Sequence, residues 1–507
     1  MTVEKYDFFE LKLANGVEHA TFTNGSRKYE IKGYSIGNGE FAFRFMPEEE
    51  GRWEYIAGKS TGEFTCVKNT GNNHGPVVAK GLNFSYKDGS PFFPVGTTCY
   101  AWIHQKTELT EQTLNSLATA PFNKIRMCVF PKHMPFNNND SDLYPFEKNS
   151  DGKWDVKKPD FRFWEHLENN ISKLRYLGIE ADLILFHPYD RWGFMEISHE
   201  DCLTYLDYCI RRLSAFRNIW WSLANEYELV YTKEIEDWDE YGRKLNENDT
   251  YGHLISIHNI MPLYPKTDWM THVSVQHRDV KRTLMWRNQY DLPVIVDECG
   301  YEGNIEFDWG NLSAHEMVHR AWLAVANGGF ITHGETFWRE DEVLWWAKGG
   351  RLYGQSHDRF AFLKQIQYEI GHISTPAGIY GNLSDPNALS NSSYGPKAAA
   401  FGKALSRMAV DERNLQIANM SPSIIVNANY RLHYLGIECN AYKNLKLPAK
   451  GEYDVEIIDT WDMTRTLALS KVCGENRIEL PGKEGIAILI KRVSGDALHE
   501  NEQQWIR

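Results

Sequence analysis

From about residue 90 to 370 the chain repeats one pattern: a short apolar run, a polar loop, then a stretch with apolar residues at helical spacing. The apolar runs cover 93–99, 124–130, 180–187, 219–224, 253–258, 271–277, 294–298 and 329–335. Each is the right length for a parallel strand buried on both faces, which reads as continuously apolar rather than alternating. Helical patterns over 111–118, 161–177, 203–213, 233–245, 280–289, 314–327 and 359–370 follow most of them. Eight strand–helix alternations over roughly 280 residues predict a (β/α)8 TIM barrel, an α/β fold. A doubly wound open sheet is the rival and needs a glycine-rich phosphate turn after an early strand. The first run ends instead in Gly96-Thr97-Thr98-Cys99-Tyr100-Ala101-Trp102.

The flanks follow a different period. Before about residue 80, alternating runs such as 40–45 and 51–56 are separated by Asn24-Gly25, Asn38-Gly39 and 60–62, the pattern of a small immunoglobulin-like β-sandwich. Residues 70–75 read as its linker. Beyond about 374 the sequence turns polar and Asn-rich over 382–394, then helical over 396–408. Strand-like runs at 423–427, 431–435, 453–459, 477–480 and 485–491 complete a C-terminal antiparallel β-sandwich domain. The expected domains are therefore 1–80, 81–375 and 376–507. The loop 131–160 is long for a compact domain, follows a strand and is expected on the active face.

Composition narrows the function. A net charge of −13 over 507 residues argues against a nucleic-acid binder, which would need a basic face. Aromatic residues make up 13%, including 17 Trp and 26 Tyr, which suits flat ligands such as sugar rings as well as a large core. No stretch is apolar and long enough to span a membrane. The start, Met1-Thr2-Val3-Glu4-Lys5-Tyr6-Asp7, shows no basic region followed by an apolar one, so a cytoplasmic location is expected. The eight cysteines are scattered without a Cys-x-x-Cys and read as buried thiols of a reducing compartment. Nothing in the pattern fixes the number of copies, and a homo-oligomer stays open.

In a barrel, each strand end delivers candidates to one rim. The ends supply Tyr100 and Trp102; Arg126, Cys128 and Lys132; His187, Asp190 and Trp192; Asn225 and Glu226; His258 and Asn259; Gln276 and His277; Glu298 and Tyr301; His333, Glu335 and Trp338. Taken alone, Asn225-Glu226 reads as a helix cap. The partner carboxylate Glu298, ending the seventh strand opposite the fourth, changes that. Two facing carboxylates suit glycosidic-bond cleavage, one as proton donor and the other as nucleophile or base for water. Separations of about 5 Å give retention and wider ones inversion. A cation such as Arg126 would keep one carboxylate ionised, while burial and like charge would keep the other protonated.

At these residues the sequence resembles the clan A glycoside hydrolases, the 4/7 superfamily, whose signature is Asn-Glu ending strand four and Glu ending strand seven. Arg126 and His187 fit the same resemblance. The N-terminal sandwich with Gly51-Arg52-Trp53-Glu54-Tyr55, the segment Leu344-Trp345-Trp346-Ala347-Lys348-Gly349-Gly350 and the C-terminal β domain are similar to its cellulase-like and apiosidase-like branch. The resemblance implies Glu226 as acid/base, Glu298 as nucleophile, retention, and Asn225 on the sugar hydroxyl beside the anomeric centre. Many clan members carry Tyr or His after strand six to hold the nucleophile; here Gln276-His277 stands there. Glu335 is an internal rival to Glu298 or a sugar-hydroxyl partner, Glu228 and Asp297 are expected to point elsewhere, and Trp338, Trp345 and Trp346 are candidates for stacking on sugar.

The expectation is thus a glycoside hydrolase without metal or organic cofactor, cleaving oligosaccharides or small glycosides, and, given the expected location, exo-acting. A carbohydrate is the expected partner. Two other classes remain. A sugar-binding protein could stand on an inactive hydrolase scaffold. A zinc metallohydrolase could use His315-Glu316-Met317-Val318-His319, an H-E-x-x-H helix with Glu340 downstream as a third ligand. In a barrel that helix is peripheral, away from the mouth.

Overall fold

The computed structural model describes residues 1–14, 16–374 and 395–498. The Asn-rich stretch 382–394 and the expected boundary at 375/376 lie outside the described residues. The barrel strands are Val95–Thr98, Lys124–Cys128, Glu180–Phe186, Ile219–Ala224, Ile255–Ser256, Val273–Gln276, Val294–Glu298 and Phe330–His333. Their order in the sheet is fifth, fourth, third, second, first, eighth, seventh, sixth, the cyclic order of a (β/α)8 barrel. A parallel bridge between His258 and Ser274 joins the fifth strand's end to the sixth. Every residue of the second, third, fourth and seventh strands is buried, which is why these runs carry no alternation.

By compactness the chain forms two units. The first comprises Met1–Lys80, Phe84–Gln276 and Gly334–Tyr353; the second comprises Gly81–Asn83, His277–His333 and the described residues from Gly354 onward. Within the first, Phe9–Ala14, Tyr34–Gly37 and Glu40–Phe45 face a five-stranded sheet that contains His19–Asn24 and Gly51–Ala57. Aromatic pairs lock the two sheets: Phe9 stacks on Phe64 at 4.6 Å and Phe22 on Phe45 at 4.5 Å. Arg44 leaves this sandwich to reach Glu168 on the helix Phe161–Tyr176, with Nη2 donating to Oε2 at 3.0 Å. Arg212 Nε donates to the other oxygen at 2.6 Å, so one buried carboxylate holds two guanidinium groups. At the start of the fourth strand Trp220 stacks on Phe84 at 5.6 Å, and its indole N–H donates to Glu180 at 3.1 Å. Burial pushes that carboxyl up to about 8.

The loop 131–160 carries a hairpin, Phe146–Lys148 against Trp154–Pro159. Phe194 stacks on Trp154 at 4.6 Å and on Phe130 at 4.7 Å, tying the hairpin to the second and third strand ends. Its length thus serves an ordered wall, which alternation over so few residues could not announce.

In the second unit the helix Ala314–Ala326 buries Met317, Val318, Ala321, Trp322 and Val325. The C-terminal domain has a five-stranded antiparallel sheet, Ser423–Val426, Tyr430–Tyr434, Ile486–Gly495, Gly451–Asp459 and Thr464–Val472. A ribbon of Tyr442–Lys446 and Glu475–Glu479 supplies Leu445 and Ile478 to the same core as Val455, Ile488 and Ile490. The sequence reading missed Tyr442–Lys446 and Thr464–Val472, as well as the helix Val410–Met420. Thr464–Val472 is exposed or half-exposed along its whole length, so it lacks the buried face that sets a period. Two of the eight thiols, Cys439 and Cys473, are exposed, against the expectation that the scattered cysteines are buried. None of the described helices is long and apolar enough to cross a membrane.

Candidate active site

The first unit builds a polar floor from side chains of three strand ends. Arg126 is wholly buried in the second strand. Its Nη2 donates to Asn225 Oδ1 at 3.0 Å and its Nη1 to the Tyr100 hydroxyl at 3.4 Å. The Tyr100 hydroxyl donates in turn to the same Oδ1 at 3.3 Å. A guanidinium can only donate, so the amide oxygen must face it and Nδ2 must face away. Nδ2 is buried and has no protein partner among the described residues. Beneath, Asp182 accepts from Lys124 Nζ at 2.8 Å and lies 3.9 Å from Arg126 Nε.

Asn225 still follows the ladder, its amide donating to Phe186 O at 2.9 Å. Glu226 then takes a φ of +50°, a left-handed conformation uncommon outside glycine, and the chain enters the short turn Tyr227–Leu229. That reversal carries the carboxyl off the strand direction, where it accepts from the Tyr189 hydroxyl. Tyr189 escaped the sequence reading, which took His187, Asp190 and Trp192 from the same loop. The motif His187-Pro188-Tyr189 was the only available signal, and no periodicity marks it. Glu228 points elsewhere, as expected, and accepts from the amides of Ile260 and Met261 at 2.9 and 3.0 Å, fastening the next loop.

Around this floor lie cationic and aromatic groups. Lys132 Nζ sits 3.3 Å from the Tyr100 ring centroid and 4.3 Å from that of Tyr189. His187 Nε2 meets Phe130 O at 3.2 Å. Burial, with the Lys132 ammonium adding to it, pushes His187 down to about 3, so the imidazole is neutral at ordinary pH. Trp192 is half-buried, held by Asp140 on its indole N–H at 2.9 Å and by the Trp154 indole on its carbonyl at 2.7 Å. Gln276 is half-buried, and Trp338 is 50% exposed.

Five further candidates are buried. Trp345 is 1% exposed, with its indole N–H on Thr97 Oγ1 at 2.8 Å, so it is core and offers no face for stacking. Trp102 is fully buried in a short helical turn. His258 is buried with Nδ1 on Ser274 Oγ at 2.9 Å and Nε2 on Gln276 Oε1 at 3.2 Å; it orients Gln276. Tyr100 is a buried support for Asn225. Glu335 lies outside the eighth strand, which ends at His333, in the two-residue strand Glu335–Thr336. Its carboxylate accepts from the Tyr353 amide at 2.5 Å and is 1% exposed.

In the second unit Glu298 closes the seventh strand, with Asp297 turned into the wall to accept from Thr332 Oγ1 at 2.6 Å. The His277 amide donates to Glu298 O at 2.9 Å. Its imidazole accepts from the Asp279 amide at 2.9 Å and meets Trp286 edge-on, and burial lowers its pKa. Tyr301 is buried against Trp309. The H-E-x-x-H helix has other duties: His315 stacks on Trp461 with centroids 3.4 Å apart, and His319 Nδ1 meets the Tyr434 hydroxyl at 3.0 Å. Glu316 accepts from Arg320 Nε at 2.6 Å. All three motif side chains are engaged by packing within this unit, which the five-residue pattern alone could not distinguish from ligation.

The apiosidase-like catalytic domain model matches residues 79–358. Two domains of unknown function, DUF5060 and DUF5605, match 2–59 and 420–491. A solved structure from Bacteroides vulgatus, described as a glycoside hydrolase, is 33% identical with a TM-score of 0.82, over 97% of this chain and 100% of that one. A glycoside hydrolase family 5 protein from the same organism shares the fold at 14% identity, with a TM-score of 0.58 over 84% of this chain and 97% of that one. No curated protein matches the sequence. With a catalytic model spanning more than half its length and a full-length structural relative, the chain belongs to the apiosidase-like family and is a glycoside hydrolase.

Proposed function

We propose that the protein is a retaining exo-glycosidase in which Glu226 is the acid/base and Glu298 the nucleophile. The observation that carries this reading is the Arg126–Tyr100–Asn225 network, which fixes the residue before Glu226 and directs an amide donor away from the guanidinium. In the first step Glu226 gives its proton to the leaving oxygen as Glu298 attacks the anomeric carbon and the C–O bond breaks. In the second, Glu226 takes a proton from water, whose oxygen displaces Glu298 and restores the starting configuration. Asn225 donates to the sugar hydroxyl beside that carbon. Gln276, Trp192 and Trp338 supply the partly exposed surface on which the sugar rests.

Six buried unpaired cysteines support a reducing, cytoplasmic setting. Imported oligosaccharides or small glycosides fit that setting better than polymers do, which favours exo action. The three domains 1–80, 81–375 and 376–507 are part of the same proposal.

The test is a screen of aryl glycosides and plant oligosaccharides, aryl apiosides first because of the family's name, with proton NMR of the first-formed product. Retention of configuration is expected. Glu226→Gln should lower kcat/KM by about 10²–10⁴-fold on poor leaving groups, and Glu298→Gln should abolish turnover. An inverted first product, or full activity in Glu226→Gln, would sink the assignment.

A further inference from the structure

The loop after the third strand brings one phenol against Glu226, and the geometry behind that phenol is built. Tyr189 Oη donates to Glu226 Oε2. The face of the same ring carries the Lys132 ammonium, which is 2% exposed and also lies over Tyr100. Tyr100 is fixed by Asn225 and Arg126. The end of the first strand and the loop after the second thus stand behind the phenol that meets Oε2 of Glu226.

We propose that Tyr189, backed by Lys132, is a positioning residue that makes Glu226 Oε1 the oxygen through which the proton passes. This rests on Glu226 being the acid/base. A carboxyl has two oxygens, and either can carry the proton. An O–H donor on Oε2 would meet a proton there head-on, so protonation is confined to Oε1. The left-handed backbone at Glu226 turns the carboxyl into that contact. A cation over a phenol ring is attracted by the ring's electron density and draws it from the oxygen, which makes the hydroxyl a stronger donor. As the glycosidic bond breaks, Oε1 loses its proton to the leaving oxygen. The charge left on Glu226 is held at Oε2 by the Tyr189 hydroxyl, a hydrogen bond that strengthens as the charge develops. Water returns a proton to Oε1 in the second step. Tyr189 keeps its own proton throughout.

The experiment uses the full chain and aryl glycosides of the sugar selected by the screen, with phenols graded from 2,4-dinitrophenol to phenol. kcat/KM reports the bond-breaking step. Tyr189→Phe should lower it about 10- to 100-fold for the phenyl glycoside, and less than about threefold for the dinitrophenyl one, which needs no protonation. Lys132→Met should move the same slope by less. An equal loss on all leaving groups, or none, in a Tyr189→Phe protein that melts with the wild type would overturn the proposal. Glu226→Gln run on the same series keeps the two readings apart. If it shows no dependence on the leaving group, the acid/base assignment fails. If it does and Tyr189→Phe does not, only the role of Tyr189 fails.

Discussion

The two ends of the Asn225 amide part company, and the proposed sugar contact uses only one of them. Its oxygen serves Arg126 and Tyr100, and its nitrogen is the donor directed elsewhere. Asn225→Asp keeps the acceptor and removes the donor, so it should melt within a few degrees of the wild type while kcat/KM falls about 10- to 100-fold. Asn225→Ala removes an acceptor from a buried guanidinium and should also cost about 1–3 kcal/mol of stability. Thermal melting beside kinetics separates the two effects, and an Asn225→Asp protein with full activity would exclude the sugar-binding role. Glu180, at the other end of the barrel, gives a test without substrate. Its folded carboxyl titrates at about 8, against about 4.3 in an unfolded chain. Between those values the native state holds a proton that the unfolded state has lost, so stability falls as pH rises and the loss is complete above the folded value. Glu180→Gln should therefore gain on the order of a few kcal/mol over the wild type at pH 8 and nothing at pH 4. A mutant that melts lower than the wild type at pH 8 would contradict this. At this scale the sequence was legible where a polar side chain sits in or closes a strand, as at Arg126, Asn225 and Glu226, which the structure places in the second strand and at the end of the fourth as expected. It was silent on Tyr189, because a phenol in a loop has no pattern, and on the burial of Trp345, because an indole reads alike whether core or rim.

Among elements, the helix Ala314–Ala326 is the instructive one. Its apolar stripe was readable from spacing, and its two histidines fitted a metal motif. What decided their role was the partner surface, Trp461 and Tyr434, which lies more than a hundred residues away in the sequence. Hydrolysis should be unchanged after chelator treatment, and His319→Ala should lower the melting temperature without altering kcat/KM. Loss of activity on chelation, restored by zinc, would reverse the reading. The barrel strands were legible because burial on both faces makes most of them runs dominated by apolar residues, as in Ile219–Ala224 and Val294–Glu298. The hairpin of Phe146–Lys148 and Trp154–Pro159 was not, since its short strands take their order from aromatic contacts made outside the loop.

At the scale of the molecule, the N-terminal sandwich is joined to the barrel's helices by the Arg44–Glu168–Arg212 cluster. Removing the carboxylate leaves two buried cations close together, with Glu10 still paired to Arg44. Glu168→Ala should then cost about 3–5 kcal/mol, whereas Arg44→Met, which removes one of the two, should cost less; denaturant titration of both variants measures the difference. Resistance of Glu168→Ala to denaturant equal to the wild type's would show the cluster to be ornamental. The barrel itself is unequal around its circumference. The fifth strand is two residues long, and it meets the sixth through the isolated bridge at His258–Ser274, the Thr271 amide on Ile255 O and the Gln276 amide on Asn259 Oδ1. Neighbouring strands of five to seven residues share far longer ladders. Local opening follows the thinnest ladder, so the amides that cross it, those of Thr271 and Gln276, should trade hydrogen for deuterium before those of the second to fourth strands. The ring of this enzyme thus has a seam, and it runs beside Gln276, one of the residues on which the proposed sugar contact depends.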